Sequence, residues 1–130
     1  NTKFMRNIIF GKGWSFDEIK LRWSNAKTAH IDVLSPKNVP QFGFLKFSLS
    51  SLKTRTVSIF FNSKFVKRIK LDAHNLVSLQ LNGLLFKACG DMNRLELKTD
   101  IPPEPPGTKD ARKLSFCITG LTFGFNNEEQ

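Results

Sequence analysis

Apolar side chains recur at every second position along most of this chain. Ala29, Ile31 and Val33 alternate with His30 and Asp32, and Leu45, Phe47 and Leu49 alternate with Lys46 and Ser48. Successive side chains of an extended strand point to opposite faces, so this period of two predicts half-buried β-strands. The same template fits Val57, Ile59 and Phe61, then Phe65, Ile69 and Leu71 with Lys64, Arg68 and Lys70 on the opposite face. It continues through Val77, Leu79 and Leu81 and through Leu95 and Leu97. Asn62-Ser63 has the composition of a tight turn between two of these strands. The last strand runs from Leu114 to Phe125, and its apolar set changes register across Gly120, as a β-bulge requires.

Helical signals are confined to two short stretches. Asp17 to Arg22 could close one turn and Gly83 to Ala88 another, although Asn82-Gly83 also suits a hairpin. The tract Ile101-Pro102-Pro103-Glu104-Pro105-Pro106-Gly107 lacks the N–H groups a sheet ladder needs and reads as a stiff crossover before the last strand. About eight short strands with such connections predict an all-β fold, an antiparallel β-sandwich of jelly-roll type. Phe44 and Phe60 fall on the polar side of their strands. Either that second face is also covered or an apolar patch is exposed there.

A length of 130 residues allows one domain, residues 1–130, with a real core. The chain opens at Asn1 without Met or a signal-peptide pattern, so the expectation is a module of a larger protein. No apolar run approaches the roughly 18 residues of a membrane-spanning helix. Lys and Arg exceed Asp and Glu by 20 to 11, a net charge of +9 that points to an anionic partner. Thirteen Phe and two Trp with no Tyr leave aromatic recognition without a phenolic hydroxyl.

Enzyme signatures are missing: there is no glycine-rich phosphate loop, no GxSxG elbow and no HExxH, and His30 and His74 lie far apart. Asp91, Asp100 and Asp110 do not concentrate the oxygen ligands that calcium demands, and Cys89 and Cys117 have no His at zinc spacing. No cofactor or metal is expected. The run Lys64, Lys67, Arg68 and Lys70 is the best anion-binding candidate; the competing reading is that it keeps a sheet edge soluble. Alternation directs Phe65, the aromatic among these cations, to the core, which argues against single-stranded nucleic acid. Trp14 and Trp23 are either core anchors or platforms for sugar rings.

Three segments become informative together: Gly13-Trp14-Ser15-Phe16, Leu21-Arg22-Trp23-Ser24-Asn25-Ala26-Lys27-Thr28-Ala29, and Asp110-Ala111-Arg112-Lys113-Leu114-Ser115-Phe116. From about Phe10 to Phe125 they resemble the β-sandwich module at the end of bacterial cell-envelope polysaccharide enzymes, the phosphoglycerol transferases and O-antigen or capsule glycosyltransferases. That module reads glycine-aromatic-serine, then a tryptophan-bearing turn, then an aspartate-x-arginine-x-leucine entry to the last strand. Trp14 and Trp23 match its aromatic anchors, Asn25 its turn, and Asp110, Arg112 and Leu114 its closing motif. Ala26 and Lys27 stand where the family often has glycine.

The resemblance implies a non-catalytic accessory module in the cell envelope, beside the catalytic domain of its parent chain. Polysaccharide or glycolipid is the implied ligand, with Trp14, Arg22, Trp23, Asp110 and Arg112 as site residues. A purely structural or protein-interaction domain is the alternative. A basic surface for nucleic acid or anionic lipid, using Lys64, Lys67, Arg68 and Lys70, is the third reading.

Overall fold

In the computed structural model, which describes residues 7–18, 21–103 and 114–126, each alternating segment is a strand. In chain order these are β1 (Ile8–Phe10), β2 (Trp14–Glu18), β3 (Leu21–Ser24), β4 (Thr28–Leu34), β5 (Gln41–Ser51), β6 (Arg55–Phe61), β7 (Lys64–Leu71), β8 (Val77–Phe86), β9 (Met92–Thr99) and β10 (Phe116–Phe125). They form two five-stranded sheets, β1-β4-β9-β6-β7 and β2-β3-β10-β5-β8, with every pairing antiparallel. The antiparallel sandwich expected from alternation is therefore present, with more strands than expected because the N-terminal region contributes three short ones. Only the β2–β3 and β6–β7 connections stay within a sheet; each of the others crosses the sandwich. That traffic gives the jelly-roll character.

The described residues of the Asp17 to Arg22 stretch are strand rather than helical turn. Asp17 pairs with Arg22 and Glu18 with Leu21 across the β2–β3 hairpin, because a strand edge was available to satisfy the backbone. Asn82-Gly83 is neither helix nor hairpin. It lies inside β8, where Gly83 takes a φ of 69° and the pairing with β5 slips by a residue, a β-bulge. The expected bulge at Gly120 is present, again with a φ of 69°, and the register against β5 shifts between Thr119 and Thr122. Asn62 and Ser63 both have positive φ, 50° and 71°, the type I′ geometry of a two-residue hairpin.

Between the sheets lies one dry layer. Ile31, Val33, Val57, Ile59, Leu95 and Leu97 face Leu45, Leu49, Leu81, Phe116 and Ile118 across it, all essentially inaccessible. Phe86 anchors one end, its ring 5.0 Å from Phe61, 5.3 Å from Phe125 and 5.9 Å from Phe123. Burying each such side chain contributes about 1.5–3 kcal/mol. A layer filled with Phe and aliphatics has no hydroxyl to satisfy, which suits a chain without Tyr.

Buried polar groups are hydrogen-bonded where strands change sheets. Arg55 is 1% exposed; its Nε donates to Ser51 Oγ at 2.8 Å, and a terminal nitrogen donates to Thr99 Oγ1 and Ile101 O, both at 3.2 Å. Ser51 Oγ in turn lies within reach of Lys53 O and Ser115 O. This knot joins the ends of β5 and β9 to the starts of β6 and β10. Beside it, Asp100 accepts a 2.9 Å hydrogen bond from the Thr56 N–H. That bond holds the carboxyl below the usual aspartate range. At the other end Asn93 accepts from Lys87 N and Asn62 Nδ2 and donates to Val33 O, fixing the β6–β7 hairpin to β4 and the β8–β9 loop.

Two predictions follow from this packing. A Cβ on Gly43 would collide with the Gly124 carbonyl of the paired strand β10 and press on Phe86, so Gly43→Ala should cost about 1–3 kcal/mol in urea unfolding. A carboxyl whose folded pKa is depressed stabilises the fold above its unfolded pKa, and that contribution is lost as pH falls through the folded value. Asp100→Asn should therefore be less stable than the parent chain at neutral pH, with the gap narrowing in acid; a gap that does not vary with pH would contradict the assignment.

Candidate functional site

The bulges decide what the outer faces present. On β5 the even positions face outward, and the β10 and β8 registers bring their own outward residues alongside: Thr119 and Ser78 flank Ser48, and Thr122 and Gln80 flank Lys46. A shallow groove of about 360 Å³ lies here, lined by Lys46, Ser48, Ser78, Gln80 and Gly120. Ser48 and Ser78 hydroxyls are 3.0 Å apart, and Gln80 Nε2 donates to Asn82 Oδ1 at 2.9 Å. A hydroxyl pair and an amide supply both donors and acceptors at neutral pH, and Lys46 adds a cation. A Cβ on Gly120 or Gly83 would meet open space, so nothing overhangs the groove from either bulge.

Aromatic groups stand on the same face. Trp23 is opposite Cys117, which is opposite Ser50, so the half-buried indole shares the outward side of this sheet. Toward the other end, the Phe44 ring covers Gly124, with Lys46 Nζ 5.4 Å from its centroid. Beyond it Phe42 and Leu85 form a cross-strand pair, 56% and 50% exposed. The second face suspected from Phe44 thus has an exposed apolar end.

Of the predicted site residues, the structure separates the two tryptophans. Trp14 packs against the core, edge-on to Phe10 at 5.3 Å and to Phe116 at 5.8 Å, and its Nε1 donates to His30 O at 2.9 Å. Arg22 pairs with Ile118 on the inward side and stands 4.1 Å from the Phe10 ring centroid, so Arg22 and Trp14 meet at one phenylalanine while Trp23 lies on the opposite face. Asn25 holds the turn before β4: its N–H donates to Gly13 O and its Nδ2 to Trp14 O. Asp110 and Arg112 lie outside the described residues. Ser115, just before β10, ties the entry of that strand to the Trp23 turn: its N–H donates to Ser24 O and its hydroxyl donates to Ala26 O.

The basic strand differs from its expected layout. Between Ile59 and Phe60 the β6–β7 register slips, so that Ile59 opposes Lys67 but Phe60 opposes Phe65. Arg68, Lys70 and Phe65 therefore share the outer face of the first sheet, while Lys64, opposite the buried Phe61, takes the inward parity with Lys67. Phe65 is 54% exposed rather than core-directed, because Val66 packs inward in its place. Alternation could not reveal this, since the extra residue carries no local marker such as glycine.

The groove went unnoticed in sequence because its residues look like ordinary solvated strand positions; the one available signal was the coincidence of Ser48, Ser50, Ser78 and Gln80 on the polar side of β5 and β8. Among the described residues no three His, Cys, Asp or Glu side chains gather as a metal site; Cys89 and Cys117 are not joined as a disulfide, the first being exposed and the second buried with its Sγ 3.0 Å from Ser50 Oγ.

No family model matches this chain, and no curated protein matches it. Solved structures do share its fold. An active-site mutant of a family two carbohydrate esterase from Clostridium thermocellum, in a cello-oligosaccharide complex, superposes with a TM-score of 0.55 at 11% identity, over 90% of this chain and 31% of that one. A GH26-CBM35 β-(1,4)-mannanase from Podospora anserina gives 0.51 at 10% identity, over 91% of this chain and 26% of that one. A Cry1Da tryptic core variant from Bacillus thuringiensis gives 0.53 at 12% identity, over 92% and 23%. This chain thus spans about a third or less of each, and at these identities the likeness is one of fold alone, the β-sandwich.

Proposed function

We propose that this chain is a non-catalytic module that binds polysaccharide on the outer face of its second sheet. The observation that carries this reading is the serine- and glutamine-lined groove with Trp23 on one side and Phe44 on the other. A sugar ring offers hydroxyls around its rim and an apolar face, and this surface offers neutral hydrogen-bonding groups beside aromatic rings. Support from outside the chain is the shared sandwich in carbohydrate-active enzymes, one of them in a cello-oligosaccharide complex.

In this reading the module positions a glycan for a catalytic domain of its parent chain, and the exposed pair Phe42 and Leu85 packs on that domain. A bacterial envelope enzyme of the transferase type, periplasmic or membrane-associated, is the parent that the sequence resemblance suggests. Arg22 acts inside the fold by holding Phe10, and the ligand contacts pass to Trp23, Ser48, Ser78 and Gln80.

Calorimetric titration with a panel of hexasaccharides that includes cellohexaose tests the site. Trp23→Ala should weaken binding about tenfold, equivalent to about 1.4 kcal/mol, and Gln80→Ala or Ser48→Ala about three- to tenfold, the net worth of a hydrogen bond. All three should unfold near the parent's midpoint. Trp14→Ala should instead cost about 3 kcal/mol of stability, because it removes a packed ring and its hydrogen bond to His30 O. Loss of binding confined to variants that also unfold would sink the site assignment.

A further inference from the structure

Among the described strands β7 is an edge strand, hydrogen-bonded only to β6. Lysines on such an edge keep it from pairing with another chain. Edge solubility does not require a phenylalanine to be turned into water, however. An unbroken register would set Phe65 opposite Phe61 on the core side; the slip at Val66 sets it opposite Phe60, 54% exposed. Once outside, the ring is held in place. It meets Phe60 edge-on at 5.7 Å, and the Arg68 guanidinium, whose Nε donates to Ser58 Oγ at 3.0 Å, stands 5.4 Å from its centroid. Lys98 Nζ stands 5.0 Å from the Phe60 centroid. The hairpin that carries β7 is in turn tied to Asn93.

We propose that this edge of the first sheet is a second ligand surface, which binds an acidic polysaccharide laid along β7. Lys64, Lys67, Arg68 and Lys70 meet its carboxylates or sulfates, and Phe65 meets the apolar face of a sugar ring. The cations occupy both sides of the strand, all exposed, so they form a strip along the edge rather than a single-faced patch. At about 3.4 Å per residue, the strip from Lys64 to Lys70 is roughly 20 Å long. Asp72, 3.9 Å from Lys70, is the acidic partner that the strip itself meets among the described residues.

Other polyanions fit less well. Single-stranded nucleic acid stacks successive bases on successive aromatic faces, and along this strip Phe65 is the exposed ring, with Phe60 packed edge-on against it. Membrane insertion needs a continuous apolar face, which one phenylalanine among cations does not make. The surface lies on the opposite sheet from the groove and does not depend on the reading given for it.

The test is titration of the chain with polygalacturonate, oligo(dT) and phosphatidylserine–phosphatidylcholine vesicles. Polygalacturonate should bind, and the affinity should fall roughly tenfold or more between 50 and 200 mM salt, as expected when cations displace counterions. Lys64→Gln with Lys67→Gln, and Arg68→Gln with Lys70→Gln, should each weaken it at least tenfold, while Lys12→Gln, exposed in the turn after β1 at the opposite edge of that sheet, leaves it nearly unchanged. Because Arg68 also braces Phe65, any loss of thermal stability in its pair leaves the Lys64 and Lys67 pair to decide. No binding to polygalacturonate, binding that survives both double variants, or tighter binding to oligo(dT) or vesicles would overturn the proposal.

Discussion

Each strand of this sandwich must deliver one of its two faces to a single dry layer, and the rest of the structure is arranged around that constraint. Because side chains alternate strictly, a strand can change which residues it buries only by inserting an extra one. The chain does so on β7, β8 and β10, and in each case the outward face changes with the inward one. On β10 the insertion keeps both Ile118 and Phe123 in the core; on β7 it packs the half-buried Val66 against the core and releases Phe65. Packing of the interior and chemistry of the surface are thus set by the same backbone irregularities.

The polar knots have a related role. Crossing from sheet to sheet leaves backbone groups and chain ends without ladder partners, and Arg55, Ser51, Asn93 and Ser115 supply them. A buried guanidinium is costly unless its donors are used, so Arg55 marks a place where several chain segments must converge together. This makes the two ends of the sandwich rigid frames. The outward faces between them are free to differ, one grooved and lined largely by hydroxyls and amide, the other cationic and aromatic.

Part of the excess positive charge acquires a location from this arrangement. Arg94 is taken up by Asp32 at 2.9 Å, Lys98 lies 4.0 Å from Glu96, and Arg55 is inside the fold. The cations of β7 remain together on an edge that carries little compensating acid. That sets a strip of four cations along one strand of the first sheet, on the other side of the sandwich from the groove.

Alternation by itself determined the all-β class, the sandwich, most strand positions, the Asn62-Ser63 turn and the bulge at Gly120, because burial of one face leaves a direct imprint on residue type. Residue type by itself marked Trp14, Trp23 and the basic run as groups able to meet a sugar ring or an anion. Tertiary structure alone decided that Trp14 turns inward and Trp23 outward, since that depends on which strand each pairs with and in what register. It alone placed Ser48 beside Ser78 and Phe65 beside Arg68, contacts between residues whose sequence neighbours give no sign of them. The period of two states that a strand has two faces; only the pairing of strands states what each face meets.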